Sequence, residues 1–103
     1  MTANCQVSRH FAADFNLLFT KCQESIEICG FTVEESNSST GCIVAHAPTS
    51  WKSFGEIIEI QIDRNGEVKI KSICVVPTTL IAYGKNQENI QIIFENLDSL
   101  LSE

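Results

Sequence analysis

Two runs in the middle of the chain alternate apolar with polar residues, Glu56-Ile57-Ile58-Glu59-Ile60-Gln61-Ile62-Asp63 and Glu67-Val68-Lys69-Ile70-Lys71-Ser72-Ile73-Cys74. A period of two marks a strand with one buried face. The residues between the runs set the register. A two-residue Asn65-Gly66 turn would put Ile62 opposite Lys69 and Ile60 opposite Lys71, mixing the two faces. A three-residue loop, Arg64-Asn65-Gly66, pairs Ile62 with Val68, Ile60 with Ile70 and Ile58 with Ser72. On the other face it sets Glu59 across from Lys71 and Gln61 across from Lys69. A slip of one residue turns a whole set of side chains over, so burial selects the longer loop, a type I turn with a bulge and a left-handed Gly66.

Upstream, Phe11, Phe15, Leu18, Cys22, Ile26 and Cys29 recur at spacings of three and four, one face of an amphipathic helix. Ser8 is its expected N-cap and Gly30 its left-handed end. Met1 to Val7 shows no periodicity and is expected to be a flexible terminus. Phe31 to Ser36 and Cys42 to Ala47 alternate again around a polar Asn37-to-Gly41 break, a second hairpin that pairs Val33 with Ala45. Pro77 ends the last strand, and Thr78 to Gly84 reads as a connector. Asn86 then caps a final helix whose stripe is Ile90, Ile93, Phe94, Leu97, Leu100 and Leu101.

The expected architecture is α+β: helix, four-stranded antiparallel meander, helix, with both helices packed on one sheet face. Hairpin connections make successive strands antiparallel neighbours, and each helix has a single stripe to bury. The outer sheet face, with Thr32, Glu34, Glu59, Gln61, Lys69 and Lys71, can stay in contact with water. At 103 residues the chain is expected to form one domain, 1-103.

Charge narrows the partners. Thirteen acids against seven bases give a formal −6, and the bases are scattered. Binding a long polyanion requires clustered Lys and Arg, so nucleic acid and anionic membrane are not expected. Met1 to Val7 has neither the basic start nor the apolar run of a secretory signal, and no stretch approaches a membrane span. Five cysteines, none in a CxxC pair, read as free thiols in a reducing cytoplasm rather than as a disulfide or zinc framework. No cofactor or metal is expected, because phosphate-binding Gly-rich loop, GxSxG elbow and HExxH pair are all missing.

Three stretches resemble a group of small bacterial domains known mainly as hypothetical proteins. They are Gly41-Cys42-Ile43-Val44-Ala45, Ser50-Trp51-Lys52-Ser53-Phe54-Gly55-Glu56 and Gly84-Lys85-Asn86-Gln87-Glu88-Asn89. The similarity runs from about Gly30 to Leu101 and implies the fold and a bacterial origin, with no activity attached. An acid and a Trp often precede the last motif in that group; here Ala82 and Tyr83 stand there.

Two functional readings emerge. One is a non-enzymatic binding or interaction module for a protein partner or a small acidic ligand. Its surface is the open sheet face, or a patch of Ser50, Trp51, Lys52 and Ser53 with Lys85 and Asn86. The free amides and positive dipole of a helix starting at Asn86 would favour an anion there. The other is a small cysteine-dependent enzyme, with Cys42 or Cys74 as nucleophile and His46 as base.

Overall fold

The computed structural model describes residues 4–48, 55–74 and 79–102. Seven elements follow in order: β1 (Asn4–His10), α1 (Phe15–Ile28), β2 (Thr32–Asn37), β3 (Cys42–Ala47), β4 (Glu56–Ile62), β5 (Glu67–Cys74) and α2 (Thr79–Leu101). The sheet has five strands, not four, in the order β1-β5-β4-β3-β2, antiparallel throughout. The meander β2 to β5 stands as expected, and β1 adds itself to the free edge of β5.

That extra strand corrects the reading of the N-terminus. Asn4 to Val7 belongs to β1 rather than to a flexible tail, and Ser8 pairs with Lys69 instead of capping a helix. Cys5, Val7 and Arg9 do alternate towards the helices, but six of the seven β1 residues stay exposed, so burial left little trace in the sequence. The strand is held by backbone pairing with Ile73 through Glu67. The cap of α1 is Asp14, whose Oδ1 accepts from Leu17 N at 3.0 Å.

The central register is the one the burial pattern selects, Ile62↔Val68, Ile60↔Ile70, Ile58↔Ser72, Glu59↔Lys71 and Gln61↔Lys69. Gly66 has φ +98, its N–H donates to Asp63 O, and its carbonyl accepts from Phe11 N at 2.9 Å, which ties the turn to the end of β1. In the other hairpin Val33 pairs with Ala45, and a shift between Val33 and Glu35 takes up the odd residue, so Ser36 faces Ile43.

Both helices cover one face. Phe15, Leu18, Cys22 and Ile26 from α1 meet Ile90, Ile93, Phe94 and Leu97 from α2 over Ile43, Ala45, Ile58, Ile60, Ile62, Val68 and Ile70. Ser25 Oγ donates to Ile93 O at 2.7 Å where the helices touch. Helix α2 begins at Thr79, so residues 79–84 of the expected connector are helical, Gly84 lies inside the helix and Asn86 is not its cap.

Candidate functional site

Register lines up Ala47, Glu56 and Cys74 across three strands, so the chain leaves β3 and β5 at the same end of the sheet. A buried polar cluster sits there. Glu56 occupies the inward phase of β4 with Ile58, Ile60 and Ile62, and is 0% exposed. Asn89 Nδ2 donates to Glu56 Oε1 at 2.6 Å and reaches Ser72 Oγ at 3.3 Å. Ser72 Oγ in turn donates to Asn86 Oδ1 at 2.8 Å. Among the described residues no buried side-chain polar atom lacks a partner, so this network is satisfied and joins β4, β5 and α2.

The opposite face of the sheet has no described element packed on it. Three cross-strand rows cover its centre: His46-Ile57-Ile73-Asn4, Val44-Glu59-Lys71-Gln6 and Cys42-Gln61-Lys69-Ser8. An open depression of about 390 Å³ lies among Gln6, Cys42, Val44, Glu59, Gln61, Lys69 and Lys71. Gln61 is steadied by donating to Thr40 O at 2.7 Å. Among the described residues Glu59, Lys69 and Lys71 take part in no ion pair. Glu59 and Lys71 are thus cross-strand partners whose charges stay apart.

Of the expected site residues, Ser50, Trp51, Lys52 and Ser53 lie outside the described residues. Lys85 is half-buried on α2, 3.9 Å from Glu88. Asn86 is fully buried against Ser72. Neither stands at a helix N-terminus, because α2 starts at Thr79; the free amides invoked for an anion at Asn86 are bonded within the helix. What the sequence reading missed is the cluster around Glu56, and a signal for it existed. An acid at the inward phase of β4, and two asparagines continuing the Ile90-Ile93-Leu97 stripe backwards, both mark polar residues inside the core.

The thiols divide by depth. Burial pushes Cys22 up to about 12. Burial also raises Cys29, partly opposed by hydrogen bonds from Asn96 and Ser25. Cys42 and His46 share the open face as expected, but four residues of strand put them roughly 13 Å apart, too far to exchange a proton. Among the described residues no group of three His, Cys, Asp or Glu is placed to hold a metal, and no helix is long and apolar enough to cross a membrane.

The fold defines an α+β class, two helices on one face of a five-stranded antiparallel sheet. A similar fold occurs in the crystal structure of Ara h 8.0201, with a TM-score of 0.60 and 10% sequence identity over 100% of this chain and 100% of that one. At that identity the likeness is one of fold alone. No protein-family model and no curated protein matches the sequence.

Proposed function

We propose that this chain is a non-enzymatic binding module whose open sheet face holds carboxylate or other acidic groups, on a small ligand or on a protein partner. The observation that supports this most is the pair Lys69 and Lys71. They are alternate residues of one strand, so their Cα atoms stand roughly 7 Å apart on the same face. Neither is ion-paired among the described residues, and the amide side chains of Gln6 and Gln61 flank them in the depression. Two ammonium groups at that spacing suit a dicarboxylate or a pair of clustered acids. The formal −6 of the whole chain keeps extended polyanions away, which leaves compact acids as ligands.

The cysteine-dependent alternative has less support, since Cys42 and His46 are too far apart and Cys74 is buried. All five cysteines are free, which supports the reading of a cytoplasmic protein. Calorimetric titration with citrate tests the module. Wild type is expected to bind, the double variant Lys69→Glu with Lys71→Glu to lose the heat signal, and Lys21→Glu on α1 to retain it. Equal binding by wild type and the double variant would place the acid elsewhere.

A further inference from the structure

We propose that the acidic group held by this face is Glu59 of a second copy of this chain, set against Lys71, the two open sheet faces stacking about a two-fold axis. The axis runs along the strands, midway between β4 and β5. This deepens the reading of that face as the binding surface and rests on it.

Register carries the argument. A rotation about that axis lays β4 of the second copy over β5 of the first, at unchanged height along the strands. Glu59 then faces Lys71 of the other copy, and by symmetry Lys71 faces Glu59. Ile57 meets Ile73 in the row on one side, and Gln61 meets Lys69 on the other. Val44 falls over Gln6, and Cys42 over Ser8. Every charge in the central rows finds an opposite charge or an amide, and none finds its own sign.

Two further observations favour a copy over water. The face is more apolar than a solvated sheet face requires: Ile57 is 36% exposed, and Ile73, Val44 and Cys42 on the same face are only half-buried. Its three central rows also hold two bases and one acid, so the excess acid of the chain lies off the contact. Four overlapping strands at ~4.8 Å spacing give a footprint of roughly 450 Å² per copy, about 900 Å² in total. That is the low end of specific interfaces and implies a weak, concentration-dependent dimer.

Sedimentation equilibrium from about 1 μM to about 1 mM is the test, over a range set by the small contact. The wild-type mass is expected to rise from one chain to two. Lys71→Glu makes the face acidic at both positions, and Glu59→Lys makes it basic at both. Each alone should shift the midpoint at least roughly tenfold to higher concentration, while an equimolar mixture of the two should dimerise again. Ile57→Ser, which leaves the charges untouched, should weaken the dimer as well. A wild-type mass of one chain at all concentrations, or a mixture no more associated than its components, overturns the proposal. Citrate binding to a wild type that stays monomeric would remove the dimer and leave the acid-binding face standing. A dimer with this variant pattern that ignores citrate would keep the dimer and remove the small ligand.

Discussion

Asn89 Nδ2 donates to Glu56 Oε1 across 2.6 Å, joining the first residue of β4 to the middle of α2 where neither side chain meets solvent. Losing this donor removes one compensating bond while the desolvation of the buried Glu56 side chain remains. Asn89→Ala should therefore lower stability by roughly 2–3 kcal/mol in urea unfolding. A loss below about 0.5 kcal/mol, the range of ordinary surface changes, would mean the bond does not hold α2 to the sheet.

Gly66 and Gly30 share a positive φ, +98 and +84, yet differ in surroundings. A Cβ at Gly66 would lie 2.4 Å from Phe11 O, whereas one at Gly30 would meet nothing within 4 Å. Gly30→Ala should cost about 1 kcal/mol from backbone strain alone. Gly66→Ala should cost at least about 2 kcal/mol, because the turn or the end of β1 must also shift. Equal losses in denaturation would show that β1 does not press against the turn.

Cys22 gives the protein an alkaline limit. Its thiol is held near 12 against an ordinary 9.0, so the unfolded chain gives up this proton first. Between those values the native state binds more protons than the unfolded state, and stability falls as pH rises. The contribution is complete below about 9 and is lost as pH climbs towards 12. Cys22→Ala should have a shallower decline than wild type across that window, by up to ~1.4 kcal/mol per pH unit. Parallel curves would refute the assignment.

Arg9 pins β1 to α2. Its guanidinium carbon lies 5.3 Å from the Phe11 ring centroid and 5.0 Å from that of Phe94, and Nη2 is 3.1 Å from Asp98 Oδ2. The ion pair is about half exposed and screened, so Asp98→Asn should cost under about 0.5 kcal/mol. Arg9→Ala also removes the ring contacts and the packing of its stem, and should cost roughly 1–1.5 kcal/mol. Similar losses for both in thermal unfolding would make the ion pair, not the rings, the stronger contact.

What the sequence disclosed follows the depth of each element. β4 and β5 bury every second residue, and that pattern was strong enough to choose between two turn lengths. β1 buries none of its side chains fully and is fixed by backbone pairing to β5, which leaves only the short alternation of Cys5 and Val7 to read. Local rules misplaced the start of α2 for a different reason. Gly84 and Asn86 look like a breaker and a cap, but Asn86 spends its side chain on Ser72, so packing against the sheet overrides a local preference. The open face was legible as the polar phase of the same alternation. Its depression was not, because that depends on where β1 and β3 flank the central pair.

If the open sheet face takes up compact acids, a map of amide chemical shifts during citrate titration shows it. Gln6, Val44, Glu59, Gln61, Lys69 and Lys71 should move together along one saturating curve, while Ile90, Ile93 and Leu97 on the covered side stay still. No movement of Lys69 and Lys71 up to about 10 mM citrate, beyond even weak millimolar affinity, would contradict the account. So would shifts confined to the helices.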